Sequence, residues 1–286
     1  MDSPAPTSRF TAGGTSMNAK PESFDSTFYQ DLDFEHAYET LEGHDHFFTE
    51  SLRGTVRQHQ LRLDEATAHL NRAEELFRHH DINSENLRLY FLHRSECMAL
   101  ASVREAITRA EQPGPDEPAT QAAVANADEA FRRLEGLDYA ENDIRLWNLQ
   151  NLHRTLHKAI RDDLNGAVEV LNDLIDEARY QFQEHHVLVY TLASAVFRQL
   201  GEVSDSQRFF ENAMNGVGML RQSYSVVLSH YRFFGLLEMW NDPQHASEWL
   251  TRARKLDAPE KTHAVLEKRV RISIDLYRQH DRLFIF

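Results

Sequence analysis

Cysteine is nearly missing from this chain. Cys97 is the single one in 286 residues, which excludes an internal disulfide framework and a cysteine-based zinc site. It lies in the apolar run "SECMAL", where a small buried hydrophobe is expected rather than a nucleophile. No apolar run approaches the roughly 20 residues needed to span a bilayer. The N-terminus, "MDSPAPTSRFTAGGTSMNAKPESFDS", lacks the apolar core of a signal peptide. Cytoplasmic is therefore the simplest localisation. Gly-rich phosphate loops are also lacking, since Gly13-Gly14 sits in that N-terminal stretch and precedes no strand. Neither HExxH, an EF-hand loop nor a GxSxG elbow occurs. Glycine and proline are scarce, 11 and 8 residues, and most prolines fall near the N-terminus or in "EQPGPDEP" (111–118).

What remains is helical. Between the few punctuating residues, apolar side chains recur at three- and four-residue steps, and no stretch sustains the alternation of a strand. The expected fold class is all-α. Residues 1–25, rich in Ser, Thr, Pro, Gly and Ala, read as a flexible tail, with Met17 an alternative start.

One stretch shows the building unit. In "VYTLASAVFRQLGEVSDSQRFFENAM" (189–214), Tyr190, Ala193, Ser194 and Phe197 share a face of a first helix. Leu200-Gly201 ends it, and Ser206, Phe210 and Ala213 face back from a second. Small residues between large ones let two helix backbones approach while the large ones fill the gaps. The pattern returns at 47–79, with Gly54, Ala66, Leu70 and Ala73, and at 143–178, with Leu149, Leu152, Leu156, Ala167 and Leu171. It returns again at 224–257, with Gly235 near the small site and Ala246, Leu250 and Ala253 following. A looser pair straddles the "EQPGPDEP" insertion.

This succession of aromatic, small and aromatic positions, an LG turn, then small, aromatic and small positions resembles the tetratricopeptide repeat. The likeness spans about 46–280. It implies a single-domain, right-handed superhelical array of antiparallel helix pairs, an α-solenoid. Residues 26–45 would form an N-terminal capping segment, its strongly aromatic stripe of Phe24, Phe28, Tyr29, Leu32, Phe34 and Tyr38 stopped by Gly43. Residues 46–258 would hold about five helix pairs, and 259–286 a capping helix with an apolar tail, "RLFIF". In the family the concave face is lined by first-helix residues one turn apart. Carried onto this chain, those positions are Leu188, Thr191, Ala195, Arg198 and Gln199 in one unit and Phe48, Ser51, Thr55, Gln58 and His59 in another. In the 143–178 unit they are Gln150, Arg154, His157 and Lys158. No carboxylate is among them.

Charge and histidine say less. The chain carries −14, yet residues 251–282 hold nine Lys/Arg against five Asp/Glu, an excess of +4 that leaves −18 elsewhere. A mainly acidic surface disfavours non-specific nucleic-acid binding. Sixteen histidines include the i, i+4 pair His153 and His157 and the clusters His44-Asp45-His46 and Glu184-His185-His186. None has a further ligand at a sensible spacing, so neither a metal nor another cofactor is expected. Nothing marks a pair of carboxylates for acid–base work, and the expectation is a non-enzymatic scaffold. Its partner would be a protein or an extended peptide with acidic or amide groups. A peptide-sensing regulatory repeat protein and a self-assembling subunit stay open as alternatives, self-association running through the N-terminal segment or the C-terminal tail.

Overall fold

The computed structural model describes residues 22–43, 46–77, 94, 151–152, 154–156, 158–159, 162–178, 183–221, 223–280 and 283. Every regular element among them is helical. The chain opens with α1 (Glu22–Asp25), which runs into a π-helical turn (Ser26–Gln30), and then α2 (Phe34–Glu39). Next come α3 (Phe47–His59) and α4 (Leu63–Phe77). Helical residues at 151–152, 154–156 and 158–159 precede α5 (Leu164–Ala178). Then follow α6 (Gln183–Gln199), α7 (Val203–Val217), α8 (Tyr224–Met239), α9 (Pro243–Ala253) and α10 (Glu260–His280). The looser pair around "EQPGPDEP" lies outside the described residues, Arg94 excepted.

Four of these helices end in the same way. After α3, the helical residues before Asp162, α6 and α8, one residue enters the left-handed region: Leu61 (φ 58°), Asp162 (66°), Gly201 (83°) and Asn241 (61°). The next amide then reaches back five residues, from Arg62 to Arg57, Asp163 to Lys158, Glu202 to Phe197 and Asp242 to Leu237, each at 2.9 Å. Such a closure satisfies carbonyls that a helix end leaves without partners. Gly201 adopts this conformation freely, whereas its three counterparts do so with a side chain, at a cost of about 1 kcal/mol each.

The second helix starts two residues beyond each turn residue, and the side chain five positions after that residue is always small and buried: Ala66, Ala167, Ser206 and Ala246, all at most 1% exposed. Ser206 shows how close the approach is, its hydroxyl donating to the Ser194 carbonyl of α6 at 2.8 Å. Two of the starts are fixed by side-chain caps. Asp163 accepts from the Gly166 amide at 3.1 Å and Asp242 from the His245 amide at 3.4 Å, with Pro243 in the first turn of α9.

α8 lies at the centre. It is apolar almost all round, with Val226, Val227, Leu228, Tyr231, Phe233, Phe234, Leu236 and Leu237 buried. A helix of that kind needs partners on every side. It packs on α6, α9, α10 and the π-helical turn. Gly235 was expected near the small site that faces α9. Instead, a Cβ added there would meet Val270 of α10 at 2.4 Å. The glycine records a close approach, but of the following helix rather than of its hairpin partner.

One boundary moves. Helix begins at Glu22, within the stretch expected to be tail, and Phe24 is 1% exposed in the core. At the other end, Leu283 of "RLFIF" is 3% exposed and joins the same core. No helix among the described residues is long and apolar enough to cross a membrane.

Candidate functional site

The side chains expected to line an open face divide into three groups. Gln150 and His157 lie outside the described residues. Arg154, Lys158, Arg198 and Gln199 are partly exposed. Ser51, Thr55, Gln58, His59 and Thr191 are buried, so in this arrangement they are not open to an incoming segment. The reason is local. Thr55 donates to the Ser51 carbonyl (3.0 Å), His59 Nδ1 to the Thr55 carbonyl (2.8 Å) and Thr191 to the Val187 carbonyl (2.6 Å). A hydroxyl that bonds its own helix four residues back can be buried without an outside partner. Gln58 departs from this pattern, since neither end of its buried amide has a partner.

Three of the four partly exposed residues are held in different ways. Arg154 donates to the Asn151 side chain at 2.9 Å, and Lys158 pairs with Asp163 at 2.9 Å. The Arg198 guanidinium stands 5.5 Å from the Trp240 ring centre. Two of these cations, Arg198 and Lys158, thus sit at turn ends of first helices, where basic groups also favour the carbonyl-rich terminus.

A denser site forms around His59, where the N-terminal segment packs. Its ring meets Phe28 edge-on at 5.0 Å, Tyr224 at 5.2 Å and Phe34 at 5.9 Å, while Phe28 and Phe34 lie 5.2 Å apart. Phe24 stacks on Phe28 at 5.4 Å. Aromatic groups at such separations gain more than their buried area alone provides. The rings come from the N-terminal segment, the end of α3 and the start of α8. α10 adds a hydrogen bond, from the Thr262 hydroxyl to the Leu32 carbonyl at 2.7 Å.

Polar contacts on the α3 and α4 side are charge-assisted. Arg57, 7% exposed, donates to Glu35 at 3.2 Å and lies 3.5 Å over the Tyr38 ring. Arg62 comes within 3.5 Å of Glu35, and Arg53 donates to the Leu41 carbonyl at 2.5 Å. Buried Glu50 accepts from Arg53 and from His69 Nδ1 at 2.8 Å, and His69 Nε2 is 2.9 Å from the Tyr38 hydroxyl. With Glu50 ionised, Nδ1 donates, so in the neutral ring Nε2 accepts from Tyr38. The result is a phenol–imidazole–carboxylate chain fastening α2 to the first hairpin. A phenol–imidazole–carbonyl chain runs from Tyr231 to His263 Nδ1 (2.9 Å) and from His263 Nε2 to the Leu256 carbonyl (3.1 Å). Burial pushes the Tyr231 hydroxyl up to about 12.

Burial by itself would raise the Glu50 pKa, but the hydrogen bonds from His69 and Arg53 outweigh it and hold the carboxyl below its ordinary value. A carboxylate with a depressed folded pKa stabilises the fold above its unfolded value and loses that contribution as pH falls through the folded one. The stability gap between the wild type and Glu50→Gln should therefore be open at about pH 5 and narrow towards about pH 3. Urea midpoints at a series of pH values measure it. A gap that stays constant would mean that the Glu50 charge contributes nothing.

Sequence reasoning missed this site because its parts are far apart in the chain. The aromatic stripe was visible, but Tyr224 and Thr262 carried no mark of belonging with it. Among the described residues no group of three or more His, Cys, Asp or Glu side chains is placed to hold a metal ion. In comparisons with protein families, with curated proteins and with solved structures, nothing matches this chain.

Proposed function

We propose that the chain is a non-enzymatic scaffold that binds a protein or peptide segment along the first-helix side of a tetratricopeptide-like, right-handed superhelical array. The observation that carries this reading is the repeated hairpin. Four turns share one left-handed residue, one five-residue closure and one small side chain five positions later. Stacked units of this kind hold their first helices side by side and so create an extended surface. Function rests on that surface rather than on the fold, and here it already receives a chain segment, the aromatic stretch seated on His59 and Tyr224. The partner is an extended or helical segment with acidic or amide groups, which Arg154, Lys158 and Arg198 complement.

Arg154→Glu combined with Arg198→Glu tests this. In pull-downs from the native host, the double variant should capture the partner more weakly than the wild type. Weakening in low and high salt alike would place the contacts in a desolvated interface, and weakening in low salt alone would place them at its rim. Undiminished capture by the folded variant would move binding off this face.

A further inference from the structure

The scaffold reading gains a partner chemistry from the segment the chain already holds, and the following rests on that reading. We propose that residues 24–41 are a tethered occupant of the binding surface, and that the outside partner carries an acidic, aromatic helical stretch of the same kind that displaces them.

Three features of the seat support this. First, it is assembled from remote parts of the chain: His59 ends α3, Tyr224 begins α8 and Thr262 lies in the first turn of α10. Two aromatic side chains, Phe28 and Phe34, enter between the first two, and the Leu32 carbonyl meets the third. Second, the segment answers the donors of the seat. Arg53, Arg57 and Arg62 pair with Glu50 and Glu65 of the first hairpin and also reach the segment's Leu41 carbonyl and Glu35, while its Tyr38 hydroxyl meets His69. Three guanidiniums beside two seat carboxylates leave an excess of positive charge for an acidic side chain such as Glu35. Third, the segment has the local structure of a bound peptide. It consists of helices of four and six residues, a five-residue π-helical turn and a leucine, Leu32, held at φ 57°. Helices this short do not stand alone in water, and the π turn and left-handed leucine persist only where surroundings impose them. The segment is ordered by its seat, as in folding coupled to binding.

A covalent tether raises the local concentration of such an occupant to the millimolar range. A free partner competes against that concentration, so capture by the intact chain is weaker than the seat's own affinity. The tether leaves the segment at Gly43, whose φ of 79° is a conformation glycine adopts freely.

Cutting the tether makes the competition measurable. A protease site placed in the connector between Gly43 and His46 of the full chain is cleaved after folding, which keeps both pieces present. A fluorescent peptide of residues 22–43 should then exchange into the nicked protein saturably, with at least tenfold higher affinity than into the uncut chain. Arg62→Glu, on a partly exposed side chain beside Glu35, should weaken that uptake roughly two- to fivefold, and more in low salt. The larger piece should keep a cooperative melt once the segment has left. Absence of exchange, or loss of the cooperative melt on release, overturns the proposal by making the segment an inseparable part of the core.

Thr262→Val in the uncut chain gives a second reading that no cleavage can spoil. Removing the bond to Leu32 should raise amide exchange of residues 24–41 at least tenfold while leaving α6–α8 unchanged. Rates that rise in both together overturn the proposal. Peptide exchange that fails while Arg154→Glu with Arg198→Glu still lowers capture would remove the tethered occupant and leave the scaffold reading standing. Successful exchange with undiminished capture would instead place partner binding at the His59 seat.

Discussion

Phe233→Ala should lower the unfolding free energy by about 3–5 kcal/mol, the range for deleting a buried aromatic side chain whose site does not collapse. The ring is fully buried on α8 and makes edge contacts on two sides, with Phe210 of α7 at 5.3 Å and Trp249 of α9 at 4.8 Å. Its removal therefore opens space between three helices at once. Neighbouring side chains are themselves committed: Phe210 also meets Trp240 at 5.1 Å, and Trp249 meets His230 at 5.1 Å. None can swing into the gap without giving up a contact of its own, which is the condition under which a cavity term adds to the lost transfer energy. Met219→Ser, at a residue 64% exposed, should change stability by no more than about 0.5 kcal/mol. Urea unfolding of the two variants beside the wild type provides the comparison. A loss below about 1 kcal/mol for Phe233→Ala would mean that α8 does not carry the packing between α7 and α9.

How much of this was legible beforehand depends on the range of the interaction. Ala66, Ala167, Ser206 and Ala246 could be recognised because small residues at helical spacing reflect contacts within one hairpin, a few residues apart in the chain. Turn chemistry was legible only at Gly201. Leu61, Asp162 and Asn241 make the same left-handed turn, but sequence reading looks for glycine there, and a leucine held in place by the closing hydrogen bonds gives no signal. Gly235 shows the converse. A glycine inside a helix announces that something comes close, but not from which direction, and here the neighbour is Val270, 35 residues later in the chain.

The candidate site was harder to see for two physical reasons. Polar side chains on the inner side of α3 and α6 were read as exposed because polarity usually needs water. Thr55 and Thr191 instead bond carbonyls of their own helices, which removes the need. The aromatic stripe of the N-terminal segment was plain, but its destination was not. The hydrogen bond from Thr262 to Leu32 joins residues 230 positions apart. No local period encodes a contact of that span, and it is settled only when the hairpins have stacked and brought α3, α8 and α10 around the same segment.

Gly54→Leu should destabilise the first hairpin by about 1–3 kcal/mol through overpacking. Even the first atom of the new side chain is too close: a Cβ on Gly54 would sit 2.8 Å from Leu70 Cγ, 2.9 Å from Leu70 Cδ2 and 3.3 Å from the Ala66 carbonyl oxygen. Leu70 is 1% exposed and Ala66 is fully buried, so neither can turn outward, and the carbonyl belongs to the backbone of α4. Relief comes only from moving α3 and α4 apart. A helix gains about 1 kcal/mol when glycine is replaced by a better helix former, and the clash must exceed that gain for the net effect to be a loss. Gly54→Ala separates the two terms, since it has nearly the whole propensity gain and only the first atom of the clash. The order of melting temperatures should be wild type above Gly54→Ala above Gly54→Leu. Ala213→Leu, at a fully buried position of α7, should fall in the same 1–3 kcal/mol range, whereas Glu75→Gln, on a side chain 63% exposed, should be nearly neutral. An unchanged melting temperature for Gly54→Leu would place Gly54 in open space and break the equivalence between the first hairpin and the one built on Ser194 and Ser206. The repeat, and with it the side-by-side arrangement of first helices on which the proposed binding surface depends, would then begin later in the chain than α3.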